Sequence, residues 1–371
     1  MSCYYYIMII LGIETSCDDT GIAIVKVAPT KVGVVFNILS NTISSQIKTH
    51  APFGGVIPNL AAREHLKNIE PCLKTALKEA DKTIKEIDLI AVTIGPGLIP
   101  SLLIGVNFAK ALAYKYNIPI IGINHIEAHI IAALAATNPK SPARLASQRE
   151  AGRQILNPKQ LFPAVALTVS GGHTQLVLVK DTEKYKILGE TRDDAAGECF
   201  DKVAKLLKLG YPGGPIISKM AAGAGTANFH LPRPMISHKN YDFSFSGLKT
   251  AVLYTIRDMK KINIPEMCRE TQQAIIDVLI DKTLRAAKEY KAKTIILAGG
   301  VAANEELRKQ FSSKLQTTNY KLLKFLVPPK NLCTDNGAMI AMAGYYNRKK
   351  TCPAVAKQLS GILANSNLRL S

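Results

Sequence analysis

The stretch Ile9-Ile10-Leu11-Gly12-Ile13-Glu14-Thr15-Ser16-Cys17-Asp18-Asp19-Thr20-Gly21-Ile22-Ala23-Ile24-Val25 reads as strand, small acidic turn, strand. A tight hairpin whose tip carries carboxylates and small hydroxyls can present groups to a phosphate and its cation, although an acidic hairpin tip is also an ordinary turn. The same theme returns at Ala164-Val165-Ala166-Leu167-Thr168-Val169-Ser170-Gly171-Gly172-His173-Thr174-Gln175-Leu176-Val177-Leu178-Val179. In that turn the glycines let the backbone approach a ligand closely, and Ser170 with the amides offers a grip on a phosphate or carboxylate. One hairpin near the start of each half predicts a duplicated α/β architecture facing a central cleft.

Working outward, a strand-like run covers Val32 to Leu39, and an amphipathic helix is expected from about Asn59 to Ala80. Arg63 and Lys67, with His65 nearby, read most simply as a solvated basic face. Strand Leu89–Ile94 meets Gly95-Pro96-Gly97, a turn opening another helix. Strand Thr294–Ala298 runs into Gly299-Gly300-Val301-Ala302-Ala303-Asn304 and a helix from about Glu305, a nucleotide-site pattern in α/β folds. Asp193–Lys202 reads as a helical segment, and Thr334-Asp335-Asn336-Gly337 places a carboxylate at the start of the last apolar helix.

The apolar run Ile118–Ile123 reads as a buried strand, and Asn124-His125-Ile126-Glu127-Ala128-His129 opens a helix behind it. Histidines four residues apart differ by about 40° in azimuth, so His125 and His129 leave one face and can offer two nitrogens to one metal ion. The bland alternative is a surface coincidence of spacing. Asn124 suits the N-cap, and Glu127 has capping-box spacing. Glu127 lies across the helix from the histidine face, so it reads as a cap and not as the general base of a zinc protease.

The chain is long enough for two lobes. A hydrophobic share of 47% and aromatics at 6% describe a globular protein. The net charge of +19, spread along the chain, attracts polyanions, nucleic acid first among them. Seven cysteines without a C-x-x-C pair suit reduced thiols in a cytosol-like compartment. The apolar Tyr4–Ile13 run lacks a basic n-region and reads as a first strand, with Met8 an alternative start to Met1. Between Thr137 and Phe162 the composition turns polar and basic, which reads as an insertion or linker.

Six motifs occur together and in order: Ile13–Thr20, His125–His129, Val169–Thr174, Phe245–Thr250, Gly299–Asn304 and Thr334–Ala338. This set resembles the tRNA N6-adenosine threonylcarbamoyltransferase family of the bacterial and mitochondrial type, over about Ile9 to Gly344. The resemblance implies a two-lobed α/β fold of the actin, Hsp70 and hexokinase kind with a ligand cleft between lobes. The division expected is an N-terminal lobe over 1–136, completed by the final helix at about 336–371, a linker over 137–162, and a C-terminal lobe over 163–335. It implies transfer of threonylcarbamoyl from threonylcarbamoyl-AMP to N6 of the adenosine 3′ of the anticodon in tRNAs reading ANN codons.

Residue by residue, the resemblance gives His125, His129 and Asp335 to one divalent metal per subunit, iron first and zinc second, with Asp335 coming from the other lobe. It gives Thr168, Val169, Ser170, Gly171, Gly172, Asp201, Gly214 and Asn304 to the adenylate. Asp18 is our candidate for the base that takes a proton late in the reaction. Implied partners are tRNA, a paralogous TsaB-type subunit and a small TsaE-type ATPase, in the cytoplasm and off the membrane. The chain departs from the family pattern in the basic insertion, at Asn59 and Asp19, where Glu is usual, and after Ile362. Rival readings are a metallopeptidase, disfavoured by the H-x-E-x-H order, an ATPase or sugar kinase of the same fold, and a non-catalytic scaffold.

Overall fold

The computed structural model describes residues 6–30, 33–135, 160–225, 227–258, 262–317, 323–351 and 359–370. Most of the basic insertion lies outside the described residues. The chain divides into two compact units. The first is Met1–Gln46, Val56–Leu161 and Leu326–Ser371, and the second is Ile47–Gly55 and Phe162–Phe325.

In chain order the first unit opens with β1 (Met8–Glu14), β2 (Asp19–Thr30) and β3 (Gly33–Ser45). The short α1 (Ile47–His50) belongs to the second unit. Back in the first unit come α2 (Pro58–Glu79), β4 (Leu89–Gly95), α3 (Ile99–Tyr116), β5 (Ile120–Asn124) and α4 (His125–Ala135). The second unit continues with β6 (Ala164–Val169), β7 (Thr174–Asp181), β8 (Lys184–Glu190), α5 (Ala196–Leu206), α6 (Gly213–Ala222), α7 (Ser246–Asp258) and α8 (Ile264–Glu289). After these come β9 (Thr294–Ala298), α9 (Glu305–Thr317) and β10 (Lys324–Leu326), and the first unit resumes with α10 (Gly337–Asn347).

Among the described residues the first sheet has the order β3-β2-β1-β4-β5 and the second β10-β9-β6-β7-β8. Read from the other end, the second repeats the first strand for strand. In both, the opening hairpin is antiparallel and its first strand pairs in parallel with the fourth, β1 with β4 and β6 with β9. The expected duplication is therefore a property of the strand pairing. The parallel strands β1, β4, β6 and β9 are almost wholly buried, as strands covered on both faces must be.

Each sheet sends the carboxyl ends of its parallel strands to one edge, where α/β sheets bind ligands. In the first unit that edge carries Glu14, Gly95 and Asn124; in the second it carries Val169 and Ala298. The observed β3 runs six residues beyond the strand-like run read from the sequence, because its pairing with β2 continues to Asp19–Ser45. His65, read as part of a solvated face, is instead fully buried: Thr20 Oγ1 lies 2.7 Å from its Nδ1 and the Cys17 carbonyl 3.0 Å from its Nε2.

The start of α10 sits directly on the first hairpin. A Cβ on Gly12 would stand 2.0 Å from the Gly337 carbonyl oxygen, and one on Gly337 would stand 2.4 Å from the Ala23 amide. Only a pair of glycines permits that approach, and it fixes where Asp335, two residues before Gly337, emerges. Gly12→Ala is therefore expected to destabilise the protein by about 1–3 kcal/mol through overpacking. Urea denaturation measures this, and an unchanged midpoint would contradict the packing described.

Candidate metal centre and ligand loops

Helix α4 begins where β5 ends, so the sheet's buried edge sets the direction in which its first turn points. Asn124 caps it as expected: Oδ1 accepts the amides of Ile126 and Glu127 at 2.9 and 3.2 Å. Every residue of α4 is buried, which removes the surface-coincidence reading of the histidine pair. The rings of His125 and His129 stand with centroids 4.7 Å apart and planes at 87°. Asp335 closes the set, its Oδ1 3.5 Å from His125 Nε2 and 3.1 Å from His129 Nε2. One donor atom from each of the three residues falls within 4.8 Å of the others.

Asp335, expected from the other lobe, belongs to the same unit as the histidines. The reason is the glycine contact above, which seats the start of α10 on the first sheet. Glu127, expected as a capping carboxylate, accepts Asn347 Nδ2 at 2.8 Å and so joins α4 to the end of α10.

A second layer holds His125 in place. Glu14, completely buried at the end of β1, has Oε2 at 3.1 Å from His125 Nδ1 and accepts Thr93 Oγ1 at 2.6 Å. Its other oxygen accepts the Ser16 amide. Ser16 Oγ lies 3.2 Å from the same Nδ1. A carboxylate on Nδ1 keeps a proton there and leaves Nε2, directed at Asp335, as the nitrogen that is freed for an ion, the arrangement of metal-bound histidines. Glu14, Ser16 and Thr93 had no assigned role in the sequence reading. The one signal was a glutamate closing an otherwise apolar strand.

The electrostatics require a positive charge at this position. Burial alone would lower the pKa of His125, but the Asp335 and Glu14 carboxylates overcome it and raise the ring to about 9. Burial pushes Glu14 upward, and His125 pulls it back below its ordinary value. Two carboxylates around two neutral imidazoles carry two negative charges, of which a proton on His125 offsets one and a divalent cation would offset both. Two neutral nitrogens and one carboxylate oxygen with a fixed second layer suit iron or zinc, so the residues fit the ion that the resemblance implies.

The acidic turn lies between β1 and β2. The Asp18 carbonyl accepts the Gln46 amide at 3.1 Å. Burial, and then the neighbouring Asp18 charge, raise Asp19 to about 7 against the opposing hydrogen bond from Ser45. Asp19 Oδ1 is buried and has no hydrogen-bond partner.

In the second unit, Thr168 and Val169 lie inside β6 and are fully buried, with the Thr168 hydroxyl unpartnered. The accessible part of the turn is Ser170–His173, and a Cβ on Gly171 or Gly172 would meet nothing within 4 Å. Helix α5 starts at Ala196 rather than at Asp193, and Asp193 instead accepts the Ser244 and Ser246 hydroxyls, each at 2.6 Å. The Gly197 amide donates to the Ser170 carbonyl at 3.2 Å, seating α5 against the loop. Asp201 accepts the Gly213 amide at 2.7 Å, which brings Gly214 beside it. Asn304 caps α9 through Leu307, and its Nδ2 donates to Gln272 at 2.8 Å, a partner absent from the sequence reading.

Comparison with known proteins bears on this arrangement. A family model described as tRNA N6-adenosine threonylcarbamoyltransferase matches residues 37–156 and 149–342. A protein of that name from Thermosipho africanus is 47% identical over 345 residues, spanning 92% of this chain and 95% of its own. Another from Persephonella marina is 46% identical over 359 residues, spanning 95% and 94%. The chain belongs to this family. Among solved structures, a full-length HypF in its phosphate- and nucleotide-bound form gives a TM-score of 0.53 at 14% identity, and the T. kodakarensis HypF gives 0.56 at 13%. This chain spans 46% and 49% of those two, a likeness of fold alone. The threonylcarbamoyltransferase family is an enzyme family, and the two-lobed α/β fold agrees with membership. No described helix is long and apolar enough to cross a membrane.

Because His125 must shed its Nε2 proton to coordinate, ion uptake releases protons below pH 9. The apparent affinity for Zn2+ is expected to fall roughly tenfold for each pH unit below that value and to level off above it. Chelator competition between pH 6 and 9 measures the slope. An affinity independent of pH across that range would contradict the charge balance described.

Proposed function

We propose that this protein transfers the threonylcarbamoyl group of threonylcarbamoyl-AMP to N6 of the adenosine 3′ of the anticodon in tRNAs reading ANN codons. The observation that carries the proposal is the conjunction of family membership with the buried His125, His129 and Asp335 cluster.

In this reading the second unit binds the adenylate. The Gly171 and Gly172 amides face its phosphate, a role that suits backbone N–H groups unobstructed by side chains, while the Ser170 amide donates to the His173 carbonyl at 2.8 Å and closes the turn. Asp201, Gly214 and Asn304 hold the nucleoside, with Thr168 and Val169 contributing as the strand that presents the loop. His125, His129 and Asp335 hold the divalent ion, iron or zinc, which when bound supplies Lewis-acid polarisation of an acyl or phosphoryl oxygen.

The N6 amine attacks the carbamoyl carbon, a C–N bond forms, the C–O bond to the phosphate breaks, and AMP departs with the electron pair. The neutral amine needs no deprotonation before attack. The proton leaves the adduct late, and Asp18 receives it. The positive charge of the chain serves the tRNA, bound chiefly through phosphates. A paralogous subunit and a small ATPase complete the cycle in the cytoplasm, so the isolated chain sustains a single turnover at most.

The test is nucleoside mass spectrometry on unmodified tRNA incubated with threonylcarbamoyl-AMP, this protein and its bacterial partners, beside His125→Ala. The mark is expected with the natural chain and a loss of at least a hundredfold with the variant. No mark from either, with partners bound, would overturn the transferase reading.

A further inference from the structure

The segment after the last helix is built into the first unit at one particular place. Leu359 and Ile362 are buried in the core formed by β1, β2, β4, α2 and α3. Beyond them, Asn365–Leu368 forms a turn, with the Leu368 amide donating to the Asn365 carbonyl at 3.3 Å and Asn365 Oδ1 accepting the Asn367 amide at 2.9 Å. The turn lies across the carboxyl ends of β4 and β5. The Asn365 amide donates to the Ile94 carbonyl at 2.7 Å, and the Gly97 amide donates to the Ser366 carbonyl at 3.4 Å. A Cβ on Gly95 would fall 1.8 Å from the Asn365 carbonyl oxygen, so glycine is needed for the turn to seat.

Two routes lead from the turn to His125. Asn124, whose Oδ1 caps α4, donates its Nδ2 to the Leu368 carbonyl at 3.3 Å. The Gly97 turn continues to Leu98, whose amide donates to the Ser16 carbonyl at 2.8 Å, and Ser16 faces His125 Nδ1. The turn thus braces both the residue before His125 and the chain beside its ring.

We propose that Asn365–Leu368 is a positioning element of the metal centre, fixing the start of α4 through Asn124 and so setting the affinity for the divalent ion. This rests on the reading that His125, His129 and Asp335 hold an ion. Second-layer contacts of this kind are commonly worth 10–100-fold in metal affinity.

Asn124→Asp separates positioning from simple electrostatics. It keeps the capping oxygen but removes the donor to Leu368 and faces a carboxylate against that carbonyl. An added negative charge beside the site would by itself tighten cation binding, whereas loss of the brace weakens it. Asn365→Pro removes the other anchor without changing charge. With Co2+ as the probe, followed by its visible absorption and by chelator competition in the full chain, both variants are expected to bind at least tenfold more weakly. Their thermal midpoints should stay within a few degrees of the natural protein's, and the second variant carries the test if the first unfolds. Natural affinity in both, or tighter binding by Asn124→Asp, would overturn the inference. A natural chain that takes up no Co2+ would overturn the metal reading itself, and the inference with it.

Discussion

A single buried contact, Glu14 Oε2 against His125 Nδ1 at 3.1 Å, governs the first unit's chemistry. A carboxylate with no access to water is costly unless it is fully partnered. Glu14 meets that condition with Thr93, Ser16 and His125, which come from the ends of three different stretches of the fold. The same contact dictates which ring nitrogen faces Asp335. Sheet register, helix entry and donor geometry are therefore linked: moving β4 against β1 displaces Thr93, and moving α4 displaces the ring.

The duplication gives the two units one plan and two chemistries. Both place a small turn at the tip of the opening hairpin and a glycine turn after the fourth strand. In the first unit the hairpin tip is acidic and the site gathers histidines and carboxylates, which suits a cation. In the second the tip is Ser170-Gly171-Gly172, uncharged and open, which suits an anion held by backbone amides. Hairpin topology supplies the position, and side-chain choice at the tip supplies the sign of the ligand.

Much of this was legible in the sequence because it is written in local periodicity. The alternation of Ile9–Val25 and Ala164–Val179 gave both hairpins, and the His125/His129 spacing gave a common face. Asp335 was readable as a ligand only through resemblance, and its membership in the first unit was not readable at all. That membership depends on the backbone contact between Gly12 and Gly337, residues 325 positions apart. Glu14 and Thr93 escaped for the same reason, since a buried polar network is defined by tertiary neighbours and leaves no period. His65 was misread because Arg63 and Lys67 beside it are basic, while its own position faces inward.

The most direct test of the account is the Zn2+ affinity of Glu14→Gln measured beside the natural chain. Glutamine offers one oxygen and one NH2 where the carboxylate offers two oxygens. Either the NH2 faces His125 and forces the proton onto Nε2, or it faces the Ser16 amide, donor against donor. The first arrangement takes Nε2 away from the ion, and the second keeps it free only by displacing the Ser16 segment that borders the ring, so an affinity 10–100-fold weaker in a still-folded protein is the predicted result. Unchanged affinity would mean that the Glu14–His125 contact does not set the ring's donor nitrogen, contradicting the account at its base.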